Sequence, residues 1–264
     1  MCQLLGMNCN TPTDIVFSFT GFACRAGRTG EHVDGWGVAF FEGHGVRHFV
    51  DHQAALVSPV AELIRRYPIK SQNVVAHIRK ATVGKVSLEN CHPFVRELWG
   101  RYWVFAHNGD LKNYSPPLTG PYLPVGTTDS ELAFCWMLQS LRERFPTRPA
   151  QAQLNEAVRE LSAEISTNGT FNYMLSDGTA LFAHCSTNLY YLVRQYPFTL
   201  AKLCDEDMSV DFASVTTPSD RIAMIVTEPL THNETWTRFE PGELKVFIDG
   251  LPVASSIHEF QLAV

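Results

Sequence analysis

MCQLLGMNCN, residues 1–10, is the stretch from which this chain is best read. Cys2 follows directly on Met1, and its small side chain permits removal of the methionine. The mature chain then begins with one residue that carries both a thiol and a free α-amine. That amine has a reference pKa of about 7.7–8.0, so a good fraction is neutral near pH 7. It can act as general base for its own thiol, directly or through one water, and no separate histidine is required. The apolar run Gln3-Leu4-Leu5-Gly6-Met7 comes next. It predicts a strand that enters the core and holds the terminus rigid, as a reacting group requires. Position alone also permits a plainer reading, an incidental cysteine in a frayed end.

Composition limits the function classes. The chain has 264 residues, 45% apolar and 18% charged, with a formal charge of −6. That is enough for a well-filled core in one large domain or two small ones. No Lys/Arg cluster reaches the density of a nucleic-acid-binding patch. The start of the chain lacks a basic segment and a long apolar segment, so no signal peptide is expected. No run of 18 or more apolar residues predicts a membrane helix. A cytoplasmic location is the expectation. The seven cysteines, Cys2, Cys9, Cys24, Cys91, Cys135, Cys185 and Cys204, are odd in number and irregularly spaced. They predict neither a disulfide framework nor a zinc site. The pairs Cys91-His92 and His184-Cys185 are read as structural, because neighbours on a strand point to opposite faces.

Working outward, short segments rich in Val, Ile, Phe and Tyr predict strands at 36–41, 46–50, 74–78, 102–106, 171–175, 180–184, 190–193, 222–226 and 244–248. Asp177-Gly178 and Asp249-Gly250 read as hairpin turns. Helices are predicted at 59–66 and 130–144, the second with Thr128 or Asp129 as N-cap. Leu154, Ala157, Val158, Leu161 and Ile165 have helical spacing. Segments 10–28 and 114–126, marked by Pro and Gly, read as irregular loops. The pattern is that of an α+β chain with helices layered on antiparallel sheets.

Four further segments carry a resemblance in order and spacing: DGWGVAF (34–40), AHIRKATVG (76–84), FAHNGDL (105–111) and TTDSE (127–131). With Cys2 they resemble the class II glutamine amidotransferases. FSFTGF (17–22), ENCHPF (89–94) with RELWG (96–100), TEPLTHNETW (227–236) and PGE (241–243) extend the match to nearly the whole chain. The set looks most like the small stand-alone YafJ-type members. The resemblance implies a four-layer αββα N-terminal-nucleophile hydrolase sandwich and one amidotransferase domain over residues 1–264. No acceptor-site domain is expected to follow it.

The resemblance also implies roles. Cys2 would be the nucleophile, and Asn108 and Gly109 the oxyanion donors. Arg79 would take the glutamine α-carboxylate, for which a guanidinium fork is suited. Asp129 would take the α-ammonium, and Thr82 would add a hydroxyl contact. Alone, each has a plainer reading. Arg79 would be a surface arginine ending a strand, Asn108-Gly109 a hairpin turn, and Asp129 a first-turn acid. His107 would orient the oxyanion donors or be a satisfied buried histidine. Trp36 is read as core or pocket wall. Lys80 and Val83 stand where many family members have Trp and His, which leaves the acceptor chemistry open.

The expected reaction is hydrolysis of glutamine to glutamate and ammonia through a Cys2 thioester, with no cofactor or metal. An unidentified acceptor or synthase partner is allowed for. Hydrolysis of other γ-glutamyl compounds, such as a glutathione-like peptide, is one alternative. An inactive binding or regulatory module, if Met1 is retained, is another.

Overall fold

The computed structural model of the chain describes residues 2–81 and 84–253. The candidate substrate-contact residue Thr82 lies outside the described residues. One antiparallel sheet contains β1 (Gln3–Thr13), β2 (Trp36–Glu42), β3 (Gly45–Asp51), β4 (Ser71–Ile78), β9 (Tyr190–Gln195), β12 (Arg221–Val226) and β13 (Thr237–Arg238), in the order β13-β9-β12-β1-β4-β2-β3. The other contains β5 (Phe94–Leu98), β6 (Arg101–Leu111), β7 (Gly169–Ser176), β8 (Leu181–Cys185), β14 (Glu243–Ile248) and β15 (Leu251–Pro252), in the order β15-β14-β8-β7-β6-β5. A small ribbon pairs β10 (Leu200–Lys202) with β11 (Ser209–Asp211). The helices are α1 (Val16–Cys24), α2 (Pro59–Arg66), α3 (Asp129–Arg144) and α4 (Gln151–Ser166).

Strand alternation sorts the side chains into layers. On β1, Leu5, Met7 and Cys9 pack with Phe19, Phe22, Ala61 and Ile64 of α1 and α2. On β6, Trp103 and Phe105 pack with Phe134, Leu138 and Leu161 of α3 and α4. The alternate residues, Leu4 and Val75 from one sheet and Val104, Ala106 and Met174 from the other, meet between the sheets. The order of layers is therefore α, β, β, α, as the resemblance implied. Central strands are buried on both faces, so they read as continuous apolar runs rather than as alternation.

Each predicted strand and helix is present within about three residues of its expected ends, except that the strand predicted at 102–106 runs on to Leu111. Segment 10–28 is a correction. β1 continues to Thr13, and α1 spans Val16–Cys24. Eight of the nine α1 residues are buried, so the helix has no polar face and no amphipathic period to detect. Its Gly21 is filled over by Leu203, whose Cδ2 would lie 2.9 Å from an added Cβ.

The sandwich ends tightly at Gly37, next to the segment that leads into β5. A Cβ there would lie 2.4 Å from the His92 carbonyl, 2.7 Å from Val50 Cγ1 and 2.8 Å from the Phe49 carbonyl. Gly37→Ala is expected to cost about 1–3 kcal/mol by overpacking. A urea unfolding curve that superimposes on wild type would contradict this close approach.

Candidate functional site

Cys2 precedes β1, in phase with Leu4, and so faces the gap between the sheets. The Lys80 amide donates to Cys2 Sγ at 3.3 Å, and the thiol donates to the Lys80 carbonyl at 3.4 Å. Burial pushes the thiol above its ordinary range, while the Lys80 amide and the Arg79 guanidinium pull it down. The thiol is thus held protonated near neutral pH and needs a base to ionise it.

The backbone around Cys2 is fixed by β12 and β6. The Leu4 amide donates to Thr227 Oγ1 at 2.9 Å, and the Thr227 amide donates to the Leu4 carbonyl at 3.1 Å. Asn108 Nδ2 donates to the Cys2 carbonyl at 2.7 Å and approaches Thr227 Oγ1 at 3.5 Å. Asn108 is itself seated by Asn172, whose Nδ2 donates to the Asn108 carbonyl at 3.0 Å and to Thr187 Oγ1 at 2.8 Å. Asn172 Oδ1 accepts the amides of Ser186, Thr187 and Asn188. Asn188 closes the network by donating to the Thr227 carbonyl at 2.9 Å.

Asn108-Gly109 is not a hairpin turn. Both residues lie inside β6, opposite Asn172 and Phe171 of β7. Gly109 must lack a side chain, since a Cβ would lie 1.8 Å from the Thr170 carbonyl and 2.5 Å from His107 Nε2.

Arg79 is 3% exposed, which excludes the surface reading. It continues β4 in phase with Val75 and His77, toward the gap between the sheets. Its Nη1 donates to the Lys85 carbonyl at 2.9 Å. Asp129 opens α3, with Thr128 as N-cap accepting the Glu131 amide. Asp129 Oδ2 accepts the Leu111 amide at 2.7 Å, and Oδ1 accepts the Ser130 amide at 2.9 Å. The acid therefore has a structural task and also faces a cleft. That cleft, narrow at about 20 Å³ of enclosed space, is lined by Cys2, Arg79, Lys80, Gly109 and Asp129 among others. Of the sequence candidates, Cys2, Arg79, Gly109 and Asp129 line it directly, and Asn108 reaches it through the Cys2 carbonyl.

Three buried histidines back the cleft. His77 stacks on His92 with ring centroids 4.3 Å apart, and His92 Nδ1 accepts the His107 amide at 3.2 Å. His107 contacts Ser130 Oγ at 2.8 Å and the Thr170 carbonyl at 2.9 Å, the satisfied buried histidine of one expectation. Burial holds His77 neutral, down to about 3, with His107 and Arg79 adding to the effect. His92 is lowered for the same first reason. Trp36 packs with Phe19 on the α1 side and is core. Its neighbour Asp34 holds the Ala81 amide at 2.8 Å, just beyond Lys80. On β8, His184 stacks on Tyr173 toward the helices while Cys185 lies between the sheets, so the pair is split as expected. His44, His48 and His52 are spaced by four, a helical ligand spacing, but they lie along the β2–β3 hairpin. Among the described residues no group of His, Cys, Asp or Glu converges into a metal site.

The Asn172, Asn188 and Thr227 network was not anticipated from the sequence. One signal was available: Asn172 interrupts an apolar strand, Phe171 to Leu175, where a polar residue must be hydrogen-bonded.

Two outcomes follow. Asn172→Leu leaves the Ser186 and Thr187 amides without their acceptor, each at about 1–3 kcal/mol. Urea unfolding should register a loss of at least about 2 kcal/mol, and an unchanged midpoint would refute the network. Stability should also fall with acid. The unfolded chain takes up protons on His77 and His92 as pH falls through about 6.5, while the folded chain does not. Between pH 7.5 and 5.5 each histidine should remove about 1.4 kcal/mol, or about 3 kcal/mol for the pair. Equal unfolding free energies at the two pH values would count against neutral burial.

The chain can now be compared with known proteins. Residues 1–262 match the family model of the class-II glutamine amidotransferases. A Haemophilus influenzae protein, named as a proposed glutamine amidotransferase, is 53% identical over 258 residues, covering 97% of this chain and 87% of that one. The similarly named YafJ of Escherichia coli is 53% identical over 251 residues, covering 95% and 98%. A crystal structure of a proposed glutamine amidotransferase from Pseudomonas aeruginosa superimposes with a TM-score of 0.78 at 44% identity, covering 96% of this chain and all of that one. The glutamine phosphoribosylpyrophosphate amidotransferase of Bacillus subtilis shares the fold alone, with a TM-score of 0.59 at 14% identity over 96% of this chain and 48% of that one. Its strands, layers and matched residues together place this chain in the class II glutamine amidotransferase family, with the αββα N-terminal-nucleophile hydrolase fold.

Proposed function

We propose that the chain is a single glutaminase domain of the class II type, with Cys2 as nucleophile once Met1 is removed. The observation that carries this reading is the meeting of Cys2, Arg79 and Asp129 in one cleft, with Asn108 bound to the Cys2 carbonyl. Arg79 takes the substrate α-carboxylate, and Asp129 takes the α-ammonium. A buried guanidinium and a fixed carboxylate suit the two charges of an amino acid.

The thiol then attacks the γ-carbonyl carbon. The Cys2 α-amine accepts the thiol proton and passes it to the leaving nitrogen. Asn108 Nδ2 keeps one proton on the Cys2 carbonyl and turns the other from its long contact with Thr227 Oγ1 to the oxyanion, with the Gly109 amide beside it. Asn108 Oδ1 is buried and makes no hydrogen bond among the described residues. Ammonia leaves, water cleaves the thioester, and glutamate departs. The protonated resting thiol accords with the need for an adjacent base.

Cys2→Ala should release ammonia from glutamine at least about 10³-fold more slowly than wild type, with an unchanged melting temperature. Asn108→Ala should lower kcat by about 10²–10³-fold. Diazo-oxo-norleucine followed by peptide mapping should find one adduct, on Cys2. Ammonia release by Cys2→Ala at the wild-type rate, an adduct on Cys91 or Cys185 instead, or Met1 present in every molecule by intact mass would sink the proposal.

A further inference from the structure

Lys80 stands where two cavities adjoin. One is the narrow cleft of Cys2, Arg79 and Asp129, with about 20 Å³ of enclosed space. The other has about 680 Å³ and is lined by Gln3, Glu31, His32, Lys80, Asn188 and Thr227 among others. It reaches the nucleophile's own strand, since Gln3 follows Cys2 and Thr227 holds the Leu4 amide.

The position of this second cavity has a chemical meaning, resting on the glutaminase reading above. In a γ-glutamyl amide the amide nitrogen is at the far end from the α-carbon. With the α-carboxylate on Arg79 and the α-ammonium on Asp129, any substituent on that nitrogen extends past the thiol and away from both. Ammonia alone needs no such room.

The cations of this cavity differ in how they are held. Arg25 is saturated: it binds Asp205 at 2.9 Å, Gln3 Oε1 at 3.2 Å and the carbonyls of Glu228 and Pro229 at 2.9 and 2.6 Å. It is a fixed wall. Among the described residues Lys80 Nζ has one carboxylate partner, Glu31, at 2.8 Å, and the two side chains are 42% and 87% exposed. An exposed pair of this kind is weakly held and easily exchanged for another carboxylate. The Lys80 backbone meanwhile seats the Cys2 thiol. The ammonium thus belongs to a residue whose backbone meets the reacting sulfur, while its counter-ion is replaceable.

We propose that the cavity beyond Lys80 receives the amine half of γ-glutamyl amino acids, with Lys80 pairing with the carboxylate of the leaving amino acid. The Cys2 sulfur forms a bond to the γ-carbonyl carbon, and the carbon–nitrogen bond breaks. The leaving nitrogen takes the proton given up by the thiol, and the free amino acid departs. Water then cleaves the thioester, restoring the thiol and releasing glutamate. The sum is one γ-glutamyl amino acid and one water to glutamate and one amino acid.

The test compares three substrates on the full chain: glutamine, γ-glutamylmethylamide and γ-glutamylglycine. The last two differ by the carboxylate. For wild type, kcat/KM for γ-glutamylglycine should exceed that for the methylamide by about tenfold or more. In Lys80→Glu, the ratio of kcat/KM for γ-glutamylglycine to that for glutamine should fall at least about tenfold. Taking the ratio removes any general damage to the thiol seat, and Lys80→Gln is read in the same way if Lys80→Glu does not fold. A methylamide turned over as well as γ-glutamylglycine, or a ratio untouched in the Lys80 variant, overturns the proposal. Turnover of glutamine without γ-glutamylglycine overturns it and leaves the glutaminase reading standing. Turnover of none of the three overturns both.

Discussion

The site depends on holding the first residues of a strand still. A chain end is ordinarily the least ordered part of a domain. Here β1 is instead a central strand, paired to β12 on one side and β4 on the other. Paired hydrogen bonds between Leu4 and Thr227 continue the β12 ladder past its end. Asn108 then ties the Cys2 carbonyl to the opposite sheet. Cys2 is therefore fixed to both sheets at the point where they part.

Parity explains why so few elements bring the site together. Leu4, Val75 and Ala106 fill the dry space between the sheets. Two residues along on each strand, or four on β4, the same face carries Cys2, Arg79 and Asn108. The apolar filling that joins the sheets thus aims the polar groups at their common edge. The opposite edge is closed by a different polar clip: Asn8 donates to Asn73 and accepts the Gly250 amide. The sandwich is apolar in the middle and hydrogen-bonded at the rims, and neither rim leaves the sheets free to slide.

Much of this was legible in the sequence, for identifiable reasons. Strands bounded by Gly and Asp, such as those around Asp177-Gly178, announce themselves through turn chemistry. α3 does so through its Thr128 cap and α4 through its period. α1 did not, because a helix buried all round has no period, and its Gly21 and flanking Pro12 read as loop signals. The site residues were legible as a set of motifs, whereas their environment was not. Arg79 reads as a surface strand end until β4 is seen to run between two sheets. Asn108-Gly109 reads as a turn until β6 is seen to continue through it to Leu111. Both plainer readings fail for one cause. Local propensity describes a strand's residues but not what packs on its two faces, and burial here comes from a second sheet distant in sequence.

Burial at this edge also constrains the chemistry. It raises the Cys2 thiol and lowers the histidines behind it, so neither thiolate nor imidazolium is available at rest. A histidine base of the kind that serves other cysteine hydrolases would have to sit in that same desolvated space and would be drained of basicity there. In the reaction proposed for Cys2, an amine on the nucleophilic residue itself avoids the difficulty. It needs no second side chain in the cleft and travels with the sulfur. It also starts with a pKa above that of imidazole, which leaves room for burial to lower it toward neutrality. A tightly packed sandwich edge and the proposed terminal nucleophile are thus two sides of one constraint: the more completely the sheets exclude water from the thiol, the more a base for it would have to come from the thiol's own residue.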